Sequence, residues 1–401
     1  MKVLQINAVY GYKSTGIIVK DIDKTLQING HESYIAYQKC STRPNNGYKI
    51  GNIIDCKTHG LLTRIIGKQA YFSILSTKRL LQYIDIIKPD IIHLHNLHSN
   101  YINLNMLLKY LEYENIKTII TLHDCWFFTG KCFHYSVIGC KKWQKHCENC
   151  PKLKDDVPSW LLDQTAVVFH DKEKYLSAIY DLVIVGVSDW ISNEAAKSFL
   201  KGKRIITIHN GVDLDIFKPT ESDIKMKLGV ENKFVILGTA NKWLDKINKN
   251  TFHYVTNQLA EDEVMLLIGC SKEQMGKLPD RVIGIEYINS REELAQIYST
   301  ADVYVNVTWE DSLPTVNIES LCCGTPVITF DSGGSPEIIN QDTGIVVEQG
   351  DYKSLFNAIR EVKLKGKEYY KLRCIEHGVK NFNKNDRYLD YIQLYQYIVN
   401  K

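Results

Sequence analysis

The 401-residue sequence lacks long apolar runs: no stretch approaches the 18 consecutive apolar residues that a membrane-spanning helix needs. It also lacks a strong charge of either sign, because 49 Lys and Arg against 46 Asp and Glu leave a formal net charge of +3. This balance excludes the extended basic surface of a nucleic-acid-binding protein. The start, Met1–Asn7, is too polar for the apolar core of a signal peptide, so we expect a cytoplasmic protein. Only the lysine-rich C-terminal part is a candidate for peripheral contact with a membrane.

Two common nucleotide-binding motifs are also missing. The chain contains neither G-x-G-x-x-G nor G-x4-G-K-[ST], which excludes the usual dinucleotide fingerprint and the P-loop. What is present is the composition of an ordinary globular protein, with 44% apolar and 24% charged residues. A chain of this length is expected to form two or three domains.

Apolar, β-branched runs alternate along the chain with segments of helical periodicity. Runs that are apolar on both faces are typical of parallel strands covered by helices, so the pattern predicts an α/β fold. The predicted strands are Val3–Ile6, Ile91–Leu94, Thr118–Leu122, Leu182–Val187, Arg204–Ile208, Phe234–Leu237, Val264–Ile268, Val303–Val307 and Pro326–Phe330.

Two of these strands run into a polar, glycine-containing turn, which is how a Rossmann-like domain begins: Val3–Ile6 and Phe234–Leu237. We therefore predict two Rossmann-like, doubly wound domains facing a cleft. The first domain is predicted to span 1–209, with a Cys-rich insertion at about 125–160, and the second domain to span 230–380. A turn-rich linker is predicted at 210–229, and a C-terminal helix at 381–401 is predicted to pack back on the first domain.

The most informative segment follows the strand Val303–Val307. Ser312 is a suitable N-cap, and Pro314 is tolerated in a first helical turn, so a helix is predicted to begin here. The free backbone N–H groups of such a terminus, at Leu313, Thr315 and Val316, would suit a phosphate. Glu319 lies one turn after Thr315 on the same face, where its carboxylate could accept hydrogen bonds from ribose hydroxyls.

The next strand, Pro326–Phe330, is followed by Gly333 and Gly334 and then by Ser335-Pro336-Glu337. Two glycines at the carboxyl end of a strand allow a ligand to approach the backbone closely. Ligands of open α/β sheets bind along that edge, so we assign both glycines to the same site.

The order of an acid, seven residues, Glu, Gly-Thr-Pro and then Gly-Gly-x-Pro-Glu resembles the retaining, nucleotide-sugar-dependent glycosyltransferases of family 4. These enzymes have the two-domain GT-B architecture, and their acid pair corresponds to Asp311 and Glu319. Further similarity lies in Ser14-Thr15-Gly16, in Pro89–Asn96 and in Thr121-Leu122-His123-Asp124. The Cys-rich insertion is similar to a subgroup associated with surface polysaccharides.

The resemblance implies a role for each matching residue. Asp311 would bind the transferred sugar, Glu319 the ribose, and His123 would lie near the reacting sugar. Thr15, Gly16, His95 and Asn96 would line the acceptor side of the cleft. Lys246 matches one basic position of the family, but Ile247 occupies the usual lysine position, so Lys246, Lys242 and Lys249 all remain candidates for the donor diphosphate.

The implied reaction transfers a hexose-type sugar with retention of anomeric configuration and needs no catalytic cofactor or metal. The expected partners are a nucleotide sugar and a glycan, in particular the lipid-linked saccharide of a capsule, exopolysaccharide or O-antigen. We also expect peripheral contact with the inner membrane and no binding of nucleic acid.

Five cysteines crowd into residues 125–150, and Cys147 and Cys150 have the C-x2-C spacing of a zinc knuckle. Cys132, Cys140, Cys147 and Cys150 could together hold a structural zinc ion. Free thiols and disulfides are the two alternatives.

Two other activities are compatible with the sequence. A GT-B-fold sugar-nucleotide epimerase would bind the same donor and use no acceptor. A metal-dependent hydrolase could use His93, His95 and His98, since residues two apart on a strand share a face.

Overall fold

Parallel strands form two separate sheets, one of seven strands and one of six. In the computed structural model, which describes all residues from Met1 to Lys401, each sheet belongs to its own compact unit. The first unit comprises Met1–Asn210 and Asn385–Lys401, and the second comprises Gly211–Lys384. No helix is long and apolar enough to cross a membrane.

The first unit contains an all-parallel sheet between helices. Its strands are β1 (Lys2–Tyr10), β2 (Glu32–Cys40), β3 (Gly47–Lys49), β4 (Ile91–Leu94), β5 (Lys117–Leu122), β6 (Leu182–Gly186) and β7 (Arg204–Thr207). Its helices are α1 (Lys13–Ile28), α2 (Ile53–Ile66), α3 (Ile74–Ile87), α4 (Leu104–Tyr113), α5 (Thr165–Ala178) and α6 (Asp189–Ala196). The sheet order β3-β2-β1-β4-β5-β6-β7 reverses its direction of growth between β1 and β4.

The second unit repeats this plan with six parallel strands. Its helices are α7 (Ile224–Lys227), α8 (Ala240–Trp243), α9 (Lys249–Asn257), α10 (Lys272–Met275), α11 (Arg291–Thr300), α12 (Thr315–Cys322), α13 (Tyr352–Lys365) and α14 (Lys367–Phe382). Its strands are β8 (Phe234–Thr239), β9 (Glu263–Ile268), β10 (Val282–Ile285), β11 (Val303–Asn306), β12 (Val327–Phe330) and β13 (Gly344–Val347). The order β10-β9-β8-β11-β12-β13 reverses between β8 and β11.

The last helix, α15 (Lys384–Asn400), packs against the sheet of the first unit. Tyr391 and Tyr395 lie in one buried cluster with Ile91 of β4 and Ile119 of β5. Large aromatic side chains bury much apolar surface, so this helix is part of the first unit's core although it follows the second unit in sequence.

The segment 210–229, which the sequence predicts as a linker, differs from that expectation. From Gly211 onward it belongs to the second unit, with Val212 and Phe217 almost fully buried. The Thr220 N–H donates to the Ser299 hydroxyl at 3.0 Å. These contacts make the segment an integral part of the second unit, because buried apolar side chains hold it there.

Candidate active site

Strands β8 and β11 define the switch point of the second sheet, where ligands of doubly wound folds bind. The segment that follows β8 is tied by side-chain hydrogen bonds to β11 and to the loop after β11. The Trp243 indole N–H donates to the Val305 carbonyl at 3.0 Å, and the Asn248 amide donates to the Val307 carbonyl at 2.8 Å. The Trp309 indole in turn donates to the Asn248 side-chain oxygen at 2.7 Å. These bonds give the candidate site a fixed wall.

Helix α12 begins at this edge, but two residues later than a Ser312 cap requires. Pro314 precedes its first residue, Thr315, and the prediction that Ser312 caps the helix is wrong. The Asp311 carboxylate instead accepts the Leu313 N–H at 3.1 Å, so a turn formed by Asp311 replaces the serine cap. Leu313 is therefore no free donor, whereas the N–H groups of Thr315 and Val316 have no acceptor within the helix.

Several buried polar atoms around this terminus have no hydrogen-bond partner. They are the hydroxyls of Ser312, Ser332 and Ser335 and the side-chain nitrogen of Asn317. A buried polar group without a partner costs about 1–3 kcal/mol, so such a group is a natural contact for a ligand. The contacts of Ser332, Ser335 and Asn317 were not predicted, because a lone serine or asparagine has no distinctive spacing.

The Gly-Gly loop approaches the acid loop through the backbone. The Gly334 N–H donates to the Asp311 carbonyl at 3.2 Å. Gly333 has φ of +56°, and a Cβ there would overlap the Asp311 carbonyl oxygen. Glycine is therefore required at this position, and the structure brings Gly333, Gly334 and Asp311 together.

Glu319 lies on α12 with its side chain largely removed from solvent. Burial raises the pKa of its carboxyl to about 7. The positive charge of Arg291 and a hydrogen bond from the Tyr298 hydroxyl at 3.2 Å both act in the opposite direction and lower this pKa. A carboxylate held in this way gains from additional hydroxyl donors, because these favour its ionised form. Tyr298 and Arg291, both from α11, were not predicted, since they are distant from Glu319 in sequence.

The three candidate lysines follow β8. Lys246 and Lys249 are exposed and Lys242 is half-buried, and none forms an ion pair with a carboxylate. All three remain available to an anionic ligand, and their geometry does not select one of them.

The switch point of the first sheet gathers the residues predicted for the acceptor side. Thr15 and Gly16 lie in the first turn of α1, which follows β1, and the Gly11 N–H donates to the Gly16 carbonyl at 2.8 Å. His95 and Asn96 follow β4, where the Asn96 N–H donates to the Asn7 side-chain oxygen at 3.1 Å. The fold thus places these four residues at the carboxyl ends of two adjacent strands.

A hydrogen-bond chain fixes the tautomers of two histidines in the first unit. The Gln5 amide donates to the Val19 carbonyl at 3.3 Å, so its oxygen faces His95 Nε2 at 3.2 Å and accepts a proton from it. His95 Nδ1 is then an acceptor and receives the N–H of His123 Nε2 at 3.1 Å. Burial lowers the pKa of His123 to about 4. His123 is therefore neutral at pH 7, with Nδ1 as a free acceptor.

His93 and His98 are occupied by protein partners. His93 Nδ1 lies 2.7 Å from the Tyr395 hydroxyl, and its Nε2 lies 2.7 Å from the Thr121 hydroxyl. His98 Nε2 pairs with the Asp124 carboxylate at 3.0 Å. Metal ligation by His93 would break buried hydrogen bonds, so this geometry argues against a metal centre built on His93, His95 and His98.

Two doubly wound units, each with a parallel sheet, are the elements of the GT-B fold, and solved structures of this fold are similar to the chain. The chain is similar to sucrose-phosphate synthase from Thermosynechococcus elongatus, with a TM-score of 0.69, 18% identity and coverage of 99% of this chain and 98% of that one. It is also similar to Anabaena Alr3699/HepE in complex with UDP, with a TM-score of 0.66, 13% identity and coverage of 98% and 99%.

Sequence comparison gives the family. The model for Glycosyltransferase Family 4 matches residues 16–216, which is half of the chain, and the model for Glycosyl transferases group 1 matches residues 231–363. The chain belongs to glycosyltransferase family 4, and the predicted resemblance is confirmed.

One curated relative is the putative colanic acid biosynthesis glycosyl transferase WcaC of Escherichia coli K12. It is 23% identical over 290 residues, covering 67% of this chain and 66% of the relative. The chain spans between 43% and 66% of the length of the curated relatives it matches.

Proposed function

We propose that the protein transfers a sugar from a nucleoside diphosphate donor to a glycan acceptor in bacterial surface polysaccharide synthesis. The observation that carries the proposal is the start of α12, where the N–H groups of Thr315 and Val316 and several unpartnered buried polar groups lie close to Glu319 in sequence and fold. The solved relative that binds UDP and the relative named for colanic acid biosynthesis support the donor class and the setting.

In this proposal the second unit stabilises the leaving group. A helix N-terminus has about half a positive charge, so Thr315 and Val316 bind the diphosphate. One lysine, with Lys246 as the first candidate, adds a charge-assisted hydrogen bond of about 1.5–3 kcal/mol as negative charge develops on the departing diphosphate. Glu319 accepts the ribose hydroxyls and Asp311 holds hydroxyls of the transferred sugar.

The first unit serves the reacting sugar and the acceptor. His123 offers a neutral Nδ1 acceptor, and Thr15, Gly16, His95 and Asn96 contribute to binding the acceptor. The transition state has oxocarbenium character, so catalysis relies on position and electrostatics. Attack occurs on the face from which the diphosphate departs, and the anomeric configuration is retained. The acceptor is a lipid-linked saccharide, which brings the protein to the membrane surface without anchoring it.

We expect His123→Ala to lower kcat by about 10²-fold, because a positioned hydrogen-bond partner of the reacting sugar contributes at least this much. Donor affinity, which depends on the second unit, should change little. Release of nucleoside diphosphate under saturating donor measures the effect, and His253→Ala, at an exposed position of α9, is the matched control. Equal rates for His123→Ala and the control would remove His123 from the reaction.

Removal of metal by a chelator distinguishes the proposed transferase from the alternative, a metal-dependent hydrolase. Turnover assayed in the presence of a strong chelator should stay within about twofold of the untreated rate, because phosphate binding here uses N–H groups and lysines. A loss that only added divalent metal restores would favour a catalytic metal over the proposed mechanism.

Product analysis tests the proposed function itself. The protein is incubated with each of several nucleotide sugars, with and without a lipid-linked saccharide. We expect free nucleoside diphosphate and an extended glycan with the donor's anomeric configuration, seen by NMR. An isomerised nucleotide sugar without free diphosphate would instead identify a GT-B-fold epimerase.

A further inference from the structure

The Cys-rich segment, residues 125–160, is held by aromatic side chains rather than by regular secondary structure. Apart from two short 3-10 helices, Cys125–Phe128 and Lys142–Gln144, it consists of turns and loops. Trp126, Phe128 and Trp143 are nevertheless almost fully buried, and Tyr135 packs on Trp143 with ring centroids 4.7 Å apart. The segment thus has a small aromatic core, which the sequence did not predict.

Beside this core lies a small cavity whose wall contains four cysteines. Cys132, Cys140, Cys147 and Cys150 all line it, together with Trp143. Its volume of about 20 Å³ is sufficient for a single water molecule or ion. All four thiols are free.

Backbone N–H groups already point at two of these sulfur atoms. The Gly130 N–H donates to Cys147 Sγ at 3.3 Å, and the Lys152 N–H donates to the Cys150 sulfur two residues earlier. Asn149, inside the C-x2-C turn, has φ of +46°, which lets the chain fold back at this point. Donors directed at sulfur stabilise thiolates, the form that binds metals.

An independent observation is a buried lysine beside these cysteines. Lys172 of α5 is 1% exposed, and its ammonium donates to the carbonyls of Trp126 and Thr129 at 2.6 and 3.0 Å. It forms no direct ion pair, and the nearby groups that would favour its charge are Cys147, Asp124 and Cys132. Lys172 therefore lies beside the cysteine-lined cavity, with its amine held by backbone oxygens.

We propose that Cys132, Cys140, Cys147 and Cys150 bind one structural zinc ion that closes the Cys-rich segment. The four thiols release their protons on binding, and a zinc ion with four thiolates has a net charge of −2. The ammonium of Lys172 and that of Lys131, which donates to three carbonyls of residues 152–155, compensate this charge. No three of the sulfur atoms lie within 4.8 Å of one another, so binding of the ion requires the loop to contract around it.

Metal analysis of the purified full chain tests the proposal. We expect about one zinc per chain by inductively coupled plasma mass spectrometry, falling to the background level in Cys147→Ser and Cys150→Ser. Cys56→Ser, at a half-buried position of α2, is the matched control and should retain its zinc. Cobalt added to the chelated protein should give a thiolate-to-metal charge-transfer absorption that zinc abolishes.

A measurement on the unaltered protein keeps the test independent of folding defects in the variants. Alkylation under native conditions should leave these four thiols unmodified until a chelator is added. A Cys132–Cys150 disulfide in the peptide map, or a metal-free protein whose four thiols react without chelator, would overturn the proposal. Donor binding by the second unit is unaffected by either result, so failure here is distinct from failure of the proposed transferase function.

Discussion

Replacing Glu319 by Gln should stabilise the free protein and weaken its binding of a nucleotide sugar. The pKa of Glu319 is raised from 4.5 to about 7, so the folded protein prefers the protonated carboxyl. The resulting cost of ionisation is absent below the unfolded pKa, grows between pH 4.5 and pH 7, and is complete above pH 7. Glu319→Gln removes this cost of ionisation. After allowance for partial exposure, we expect the free energy of unfolding at pH 8 to rise by about 2 kcal/mol, which corresponds to an increase in Tm of about 4–8 °C.

Donor binding should change in the opposite direction in the same variant. Ribose hydroxyls favour the ionised carboxylate, so the affinity of the unaltered protein for a nucleotide sugar should rise with pH through about 7. In Glu319→Gln the affinity should be at least about tenfold lower and independent of pH in this range. Thermal shift and isothermal titration calorimetry with UDP-glucose measure both effects, within a wider screen of nucleotide sugars.

The control for this prediction is Glu286→Gln, an exposed glutamate of the same unit with no hydrogen bond. It should leave both the melting temperature and the donor affinity unchanged. If Glu319→Gln bound the donor as tightly as this control at every pH, Glu319 would not be part of the site.

Gly333→Ala should weaken donor binding strongly by displacing the acid loop. The left-handed conformation at Gly333 costs any other residue about 1–2 kcal/mol, and the added methyl group would overlap the Asp311 carbonyl. Relief of this overlap requires the Gly334–Asp311 hydrogen bond to break, which moves Asp311 and the start of α12. We expect the donor affinity to fall by more than about tenfold, with a moderate loss of stability.

Gly276→Ala is the matched control, because Gly276 has ordinary helical geometry and a Cβ there would find its nearest neighbours at 3.8 and 3.9 Å. The same titrations apply to both variants. Unchanged donor affinity in Gly333→Ala would show that the Gly-Gly loop does not position the ligand.

The fold was largely predictable from the sequence because its central strands are apolar on both faces. Ile91–Leu94 coincides with β4, and the predicted strands Phe234–Leu237 and Val303–Val307 correspond to β8 and β11. The strands β3, β10 and β13 escaped prediction because they are short and lie at the sheet edges, where an apolar run on both faces is not required. The β2 strand mixes polar and aromatic residues, which obscures its pattern.

The candidate site was predictable where a residue type is tied to backbone geometry. Gly333 is one example, because only glycine fits against Asp311. The residue that forms the turn before α12 was not predictable in this way. Asp311 and Ser312 are both good turn formers, and the sequence alone does not distinguish which of them accepts the Leu313 N–H. Contacts made across the fold, such as Tyr298 with Glu319, have no local signal at all.

The most direct test is a crystal structure of the protein soaked or co-crystallised with a nucleoside diphosphate. We expect the diphosphate within hydrogen-bond distance of the Thr315 and Val316 N–H groups, with the ribose hydroxyls on the Glu319 carboxylate. A nucleotide bound elsewhere, with these groups still unoccupied, would contradict the central claim that the start of α12 is the donor site.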